Sequence, residues 1–372
     1  MHTAFKLGLV TSAVMLTFSV AQAANVELYG SVSTGFVVKH TNVEGEKKTS
    51  SAMESGWYGD SNWGLTGSED LGNGWKAGFK VESNFESDTG RGSEDGLFDS
   101  QSYLTIGTDR VPLAAGRLGG LASGGGDFDM LGGYDPLEAK FGIAGLGLFA
   151  TRDLTANNAL AAVVTPVDGL TVTGVVSMGV EEDSGKWGDR AHYYALGATY
   201  EMDAFAGSLI WERVTLPEES KHSNFYTLGL SYDFGMVKPM FAYQHGHHVS
   251  SGIMGGAYVS VIDTLPEPTE TFDPSFQAKM DSFLLGATVP MMGGNLMVSA
   301  QYATGKIDNT DVKFNAKVLG VAYDYPLSKR TSVYTGATWS KGGKLLAKDS
   351  EVAHGHEDFN GWQFGVGLKH AF

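Results

Sequence analysis

The sequence predicts an all-β protein, a sixteen-stranded antiparallel transmembrane β-barrel that encloses water. Apolar and polar residues alternate with a period of two along most of the chain, which indicates strands with one apolar and one polar face. Short turns alternate with long polar segments, which is typical of outer-membrane barrels. The chain also ends inside a strand, on the aromatic residue Phe372.

The composition excludes several other classes of protein. The chain has 372 residues with 51 Gly, 11% aromatic residues, only 18% charged residues and a net charge of −16. Disordered chains are rich in charge and poor in aromatics, and a nucleic-acid-binding protein should carry a basic face, so neither class fits and no nucleic-acid partner is expected. The absence of Cys excludes thiol catalysis and Cys-ligated zinc, and it suits an oxidising compartment.

The first residues predict an export signal. An apolar run from Leu7 to Val20 follows a weakly basic start, and Ala21-Gln22-Ala23 has the small-x-small pattern that precedes cleavage. The run is short for a spanning helix, which needs about 20 residues. We therefore expect a signal peptide over 1–23 and one outer-membrane barrel domain over 24–372.

Period-two alternation is clearest in segments 26–36, 75–86 and 359–372. In the second segment, Trp75, Ala77, Phe79, Val81, Ser83 and Phe85 alternate with Lys76, Gly78, Lys80, Glu82, Asn84 and Glu86. A soluble β-sandwich would show the same period with its apolar face inward. Strand length, the alternating connections and the terminal aromatic favour the barrel instead. The apolar faces are then expected to meet lipid or a neighbouring subunit, and the polar faces to line water.

The connections give the strand number. Seven short turns rich in Gly, Pro, Asn or Asp are predicted at Asp70–Gly74, Thr108–Val111, Pro166–Gly169, Met202–Ala204, Phe234–Met236, Pro290–Gly294 and Pro326–Arg330. Eight long polar segments lie between them, at about 40–60, 88–98, 119–153, 181–190, 215–223, 248–278, 306–314 and 341–358. These connections require sixteen strands, a number that leaves an aqueous channel.

The hydrocarbon of the membrane requires the barrel to be closed. An unpaired backbone N–H or C=O group in hydrocarbon costs several kcal/mol, so an open sheet edge is not tolerated there. The first and last strands must therefore pair with each other. We expect Val26–Lys39 to lie against Phe359–Phe372.

Three segments resemble the general trimeric porins of Gram-negative bacteria. Residues 61–87 resemble the second strand, turn and third strand of that family, Tyr323–Thr338 resembles its Leu-Ser-Lys-Arg-Thr turn, and residues 367–372 resemble its Gly-Leu-Lys-His-x-Phe ending. The resemblance implies a sixteen-stranded barrel in the outer membrane, a homotrimer, and passive diffusion of ions and small hydrophilic solutes without a cofactor. It further implies contact with outer-membrane lipid and lipopolysaccharide, and recognition of Phe372 by the barrel-assembly machinery.

The long segment 119–153 is the expected constriction loop. By the same resemblance it is the loop after the fifth strand, folded into the pore to narrow it. It carries Asp127, Asp129, Asp135 and Glu138, and rings of carboxylates favour cations. A flexible acidic surface loop is the alternative.

Basic residues are expected on the opposite wall of the pore. Lys76 and Lys80 lie on the polar face of 75–86, Arg117 matches a Gly-Arg of the family, and Arg152 lies near the start of the sixth strand. Each of them is alternatively a solvated charge of the lumen or rim. Where the family often has basic residues, Asn62 and Thr66 are neutral, so we expect a mild preference for cations.

Other chemistry is weakly indicated. His245, His247 and His248, with His354 and His356, are a possible metal group, but a solvated loop is the favoured interpretation and no metal is expected. The chain has no G-x-S-x-G, H-E-x-x-H or phosphate-loop motif, so an enzyme is not expected. Two other functions stay open: a substrate-specific porin, for example for oligosaccharides that stack on Phe128 and Tyr134, and a surface adhesin or outer-membrane enzyme.

Overall fold

The computed structural model describes residues 25–43, 45–93, 96–179, 187, 190–217, 221–250, 253, 277–311, 313–343 and 358–372. The predicted signal peptide, residues 1–23, lies outside the described residues. So do His354 and His356 and most of the predicted loops 181–190, 248–278 and 341–358.

The described chain forms one antiparallel sheet. Its strands are β1 (Asn25–Val43), β2 (Glu46–Ser55), β3 (Ser61–Gly72), β4 (Trp75–Phe85), β5 (Gln101–Thr108), β6 (Val111–Gly119), β7 (Thr155–Val167), β8 (Leu170–Ser177), β9 (His192–Met202), β10 (Phe205–Thr215), β11 (Ser223–Tyr232), β12 (Lys238–Ser250), β13 (Gln277–Met291), β14 (Gly294–Ile307), β15 (Lys313–Pro326), β16 (Thr331–Gly343) and β17 (Asp358–Ala371).

The strands β2 and β3 occupy one position in the sheet. The C-terminal half of β1 pairs with β2, and its N-terminal half pairs with β3. Residues 56–60 connect β2 to β3 and turn into the barrel, where Trp57 contacts Phe141. The described residues therefore make a sixteen-stranded barrel, which confirms the predicted fold class.

The barrel closes between β1 and β17, as predicted. Their antiparallel register runs from Ser31 opposite Ala371 to Val43 opposite Phe359. Beyond the ladder, the backbone N–H of Phe372 donates to the carbonyl of Gly30 over 3.0 Å, and the N–H of Gly30 donates back over 3.2 Å. The last residue thus completes the hydrogen bonding of the first strand.

The apolar side chains point outward and the polar ones point inward. Leu104 and Leu285 on the outer surface are 66% and 65% exposed, whereas Ser208, Gln244 and Glu212 on the inner surface are buried. A soluble sandwich would reverse this arrangement, because its apolar face forms a dry core. Among the described residues, no helix has the length and apolar character that crossing a bilayer demands.

All seven predicted short turns join neighbouring strands.

The prediction of a loop over 40–60 was wrong for most of its length, because β1 continues to Val43 and pairs with β2 as an extended hairpin. The side chains of Glu46–Ser51 are exposed. Without a buried face, this part of the hairpin has no apolar alternation for a sequence pattern to reveal.

Candidate functional site

The chain between β6 and β7 folds into the barrel. It packs on the inner wall through an apolar cluster in which the side chains of Leu121, Leu131, Phe149 and Tyr134 are almost fully buried. Two short 3₁₀ turns, Gly132–Tyr134 and Gly142–Ala144, shape it. This segment, residues 120–154, is called the constriction loop below, because it fills part of the cross-section of the barrel.

Glycines on the inner wall make room for the constriction loop. A Cβ atom added at Gly229 would lie 2.2 Å from the Tyr134 ring, and one at Gly286 would lie 2.5 Å from the Pro136 ring. The same is true of Gly197 against Met130, Gly320 against Leu137, and Gly336 against Phe141. The loop therefore lies directly on the backbone of the strands, and this close approach accounts for part of the high glycine content.

Polar side chains of the wall bind the backbone of the loop. The Gln244 side-chain oxygen accepts from the N–H of Ala150 over 2.8 Å, and the Gln301 amide donates to the carbonyl of Ala144 over 2.6 Å. The Ser282 hydroxyl donates to the carbonyl of Leu148 over 2.5 Å. A buried loop needs such partners, because its backbone groups are cut off from water.

A buried tyrosine and glutamate fix the start of the loop. The Tyr193 hydroxyl donates to Glu212 Oε1 over 2.6 Å and accepts from the N–H of Leu121 over 2.9 Å. The same carboxylate oxygen accepts from the N–H of Ala122 over 3.2 Å. Both side chains come from neighbouring strands of the wall, β9 and β10.

An aromatic cluster fixes the middle of the loop. The ring of Phe141 lies edge-on to Trp57, with centroids 5.1 Å apart, and also contacts Tyr58 and Tyr334. The N–H of Phe141 donates to the carbonyl of Trp57 over 2.7 Å. The inward-turned segment 56–60 thus joins the loop to the wall of β16.

A lumen cavity of about 750 Å³ lies between the loop edge and the strands β1–β4 and β17. Four basic and four acidic side chains line it: Lys39, Lys140, Arg152, Lys369, Glu54, Asp60, Glu138 and Asp153. Lys39 pairs with Glu54 over 2.8 Å, Lys140 pairs with Glu138, and Arg152 lies 3.4 Å from Asp153. Formal charges of both signs therefore balance along this passage.

Three of the four predicted loop carboxylates do not line the lumen cavity, and two of these three are buried. Asp129 and Asp135 are 6% and 1% exposed. Asp129 accepts from backbone N–H groups of Gly124 and Gly132 over 2.9 and 2.7 Å, and Asp135 accepts from those of Leu137 and Ala139 over 3.0 and 2.9 Å. Both carboxylates therefore hold the shape of the loop.

Burial changes the acidity of these two carboxyl groups. It raises the pKa of Asp129 to about 6 and the pKa of Asp135 to about 7, although the backbone N–H groups partly offset the effect. Charged carboxylates are costly away from water, which is the cause of both shifts.

The other two loop carboxylates reach wetter surroundings. Asp127 accepts from Lys80 over 2.8 Å and from the Tyr103 hydroxyl. Glu138 lies on the lumen cavity beside Lys140. Burial alone would raise the pKa of Glu138, but the Lys140 ammonium outweighs it and the pKa falls below its usual value.

The four predicted basic residues lie in different places. Lys80 projects from the wall to the loop, whereas Lys76 lies near the 108–111 turn and pairs with Asp109 over 2.8 Å. Arg117 donates to the carbonyl of Asp99 and to the Asn157 side chain, both over 2.5 Å. Arg152 belongs to the constriction loop and not to the wall, because β7 begins only at Thr155; it donates to the carbonyls of Ala139 and Gly142 over 3.1 and 3.0 Å.

Lumen residues that the sequence analysis did not select are Lys39, Lys140, Lys369, Glu54, Asp60 and Asp153. Alternation in 359–372 already placed Lys369 on the polar face, so its position was accessible from the sequence. The Nζ atoms of Lys140 and Lys369 each lie 5.2 Å from the centroid of the Tyr58 ring. This convergence depends on the inward turn of 56–60, which no pattern indicates.

Two of the three histidines of β12 lie within hydrogen-bond distance of aspartates of adjacent elements. His245 Nδ1 lies 2.7 Å from Asp281 Oδ1, and His248 pairs with Asp308. Over the ranges that the structure describes, no three His, Cys, Asp or Glu side chains group as metal ligands would.

A barrel with an inward loop and a charged, water-accessible lumen has the architecture of a diffusion channel. The family model for Gram-negative porins matches residues 10–345 of the chain. The chain belongs to the Gram-negative porin family. It is an outer-membrane porin, a channel protein, as its relatives are.

Individual porins are similar over almost the whole chain. An outer membrane porin protein of Bordetella pertussis is 28% identical over 406 residues, which cover 99% of this chain and 100% of that protein. The solved anion-selective porin from Comamonas acidovorans has a TM-score of 0.67 and 23% identity, with 94% of this chain and 100% of that chain covered. A trimer form of OmpT from Vibrio cholerae has a TM-score of 0.62 and 13% identity, with coverage of 94% and 100%.

Proposed function

We propose that this porin passes ions and small hydrophilic solutes by passive diffusion, with weak charge selectivity. The observation that carries the proposal is the 750 Å³ lumen cavity with its four basic and four acidic side chains. Rings of one sign of charge select against that sign of ion, whereas balanced and mostly paired charges favour neither. The expected cation preference depended on four loop carboxylates, and it weakens because Asp129 and Asp135 are buried.

The experiment is a planar-bilayer recording of the purified, refolded protein under a potassium chloride gradient. Open channels with a steady conductance and a reversal potential close to zero support the proposal. A strongly cation-selective or anion-selective potential would reject the balanced lumen, and absence of conductance would reject the channel itself. Protein denatured before addition is the control for membrane leakage.

An aromatic track for sugars has little support. Phe128 and Tyr134, the rings that the sequence analysis considered for stacking, are each 4% exposed and pack against the wall. A general channel therefore fits the loop better than an oligosaccharide-specific one.

We further propose the assembly properties that the family suggests: export by a cleaved signal over 1–23, association as a homotrimer, and contact with lipopolysaccharide. Association is supported by the trimer form of the similar OmpT from Vibrio cholerae. Cross-linking of the detergent-extracted protein, which should yield a trimer band, tests it.

Phe372 is proposed as the signal for the barrel-assembly machinery. Its backbone bonds close the sheet at Gly30, while its side chain remains 42% exposed on the outer surface. We expect Phe372→Ala to lower the amount of folded protein in the outer membrane while the purified variant still refolds in detergent. Equal amounts of variant and wild type in the membrane would contradict this role.

A further inference from the structure

A second cavity lies on the other side of the constriction loop. It has a volume of about 290 Å³, and the short turns at Asp109 and Gly169 contribute to its lining. None of its lining residues lines the 750 Å³ lumen cavity. Short turns of such barrels face the periplasm, so this space, called the periplasmic cavity below, opens to that side. Its volume is about ten times the ~30 Å³ that one liquid water occupies.

The periplasmic cavity has an apolar roof and a hydroxyl-rich wall. Phe128, Met130 and Tyr134 of the loop form the roof. Five hydroxyl side chains from the strands line the rest: Thr165, Thr171, Thr173, Thr199 and Ser231. Thr171 and Thr199 face each other directly across β8 and β9. None of these hydroxyls is taken up by another side chain in the ranges that the structure describes, so they are available to a solute.

Two opposite charges stand at the periplasmic end of the cavity. Glu201 comes from the end of β9 and Lys238 from the start of β12, and both line the cavity. The two groups lie within electrostatic range of each other, and Lys238 is also within range of Asp233 and Glu138. Among the residues that the structure describes, neither Glu201 nor Lys238 forms an ion pair. Three further carboxylates line the cavity, and each already has partners: Asp109 pairs with Lys76, Asp127 pairs with Lys80, and Asp129 accepts from backbone N–H groups of the constriction loop.

We propose that the periplasmic cavity binds small zwitterionic solutes of the α-amino acid class. The ammonium of the solute meets the Glu201 carboxylate, its carboxylate meets the Lys238 ammonium, and its side chain lies between the hydroxyl wall and the apolar roof. A separated pair of unlike charges recognises a molecule that carries both charges better than one that carries either. This inference rests on the proposed function, because the cavity receives solute only from an open channel or from the periplasm.

The test uses L-leucine and two analogues that each lack one charge, 4-methylpentanoate and isopentylamine. Binding to the refolded wild-type protein is measured by titration calorimetry, and channel conductance is recorded on the same preparation. We expect saturable binding of leucine, about tenfold tighter than that of either analogue, which corresponds to one charged contact. Comparable binding of all three probes, or no saturable binding in a conducting preparation, would overturn the proposal.

Two substitutions test which charged side chain of the cavity binds which charged group of the solute. Glu201→Gln should weaken leucine binding about tenfold and remove its advantage over 4-methylpentanoate, whereas Lys238→Met should remove its advantage over isopentylamine. Lys313→Gln, an exposed change of one charge at the far end of β15, is the matched control and should bind leucine as the wild type does. If neither cavity variant alters the preference, the proposal is wrong while the channel function stands. Loss of conductance in the wild type would instead reject the channel function and this inference with it.

Discussion

The Nζ atom of Lys80 on β4 lies 2.8 Å from the carboxylate of Asp127 on the constriction loop. This ion pair joins the barrel wall to the beginning of the loop. The N–H of Asp127 also donates to the Gln101 side chain over 2.9 Å, and the Lys80 ammonium lies 5.3 Å from the centroid of the Tyr29 ring and 3.5 Å from Glu82. The pair therefore belongs to a network that spans β1, β4, β5 and the loop.

Breaking the Lys80–Asp127 pair should loosen the constriction loop. We expect Lys80→Met and Asp127→Asn each to increase the frequency of brief closures in single-channel recordings, because the loop then samples positions away from the wall. The double variant should resemble either single variant, with a coupling of about 1 kcal/mol in a thermal-unfolding cycle. Strictly additive effects would contradict a direct interaction. Lys76→Met, which breaks a pair near the turn instead, is the control.

The close approach of the loop to the wall makes Gly229 intolerant of a side chain. Gly229→Ala places a methyl group 2.2 Å from the Tyr134 ring, so the loop must shift, at a cost of about 1–3 kcal/mol. We expect a lower unfolding temperature and an altered conductance. Gly174→Ala is the matched control, since its nearest contact would be 4.0 Å away. Equal behaviour of the two variants would show that the loop does not rest on β11.

The strands could be predicted from the sequence because the environment of their side chains repeats every two residues. Lys80 faces inward and Phe79 outward for the same reason that 75–86 alternates, and the pairing of β1 with β17 followed from the need to close the sheet. The seven tight turns were accessible because Gly, Pro, Asn and Asp favour them.

The conformation of the constriction loop could not be predicted from the sequence in this way. Asp129 and Asp135 have the same residue type as Asp127, yet they turn into the loop and bind its backbone, which depends on local conformation and not on a repeat. The lumen position of Asp60 depends on the inward turn of 56–60. The first feature depends on the local backbone conformation and the second on a contact between segments far apart in the chain, and a one-dimensional pattern encodes neither.

Asp135 makes the stability of the constriction loop depend on pH. The loop is called seated when it is packed on the barrel wall and released when it is not. The pKa of Asp135 is raised to about 7 by burial, whereas a released loop would return the group to its ordinary value near 3.8. Between these values the seated loop binds a proton that the released loop does not, so its stability falls as the pH rises. Brief closures should therefore be more frequent at pH 8 than at pH 5. Asp135→Asn should reduce this slope, and the part that remains comes from Asp129, whose pKa burial also raises, to about 6. Asp168→Asn, in an exposed turn, should leave the slope unchanged. If the frequency of brief closures depended on pH in Asp135→Asn as it does in the wild type, Asp135 would not be the cause of the pH dependence.

The balance of charge in the lumen depends on Lys369 and Asp60, which form no ion pair with the rest of the described chain. Lys369→Gln removes one positive charge from the cavity and should shift the permeability ratio toward cations. Asp60→Asn should shift it toward anions by a similar amount. A unit charge about 10 Å from an ion in water contributes about 0.4 kcal/mol. The contribution has opposite signs for a cation and an anion, so the permeability ratio should change about fourfold. The double variant should return to the wild-type reversal potential under the same salt gradient. Shifts of the same sign in both single variants would mean that the two side chains do not face the ion path.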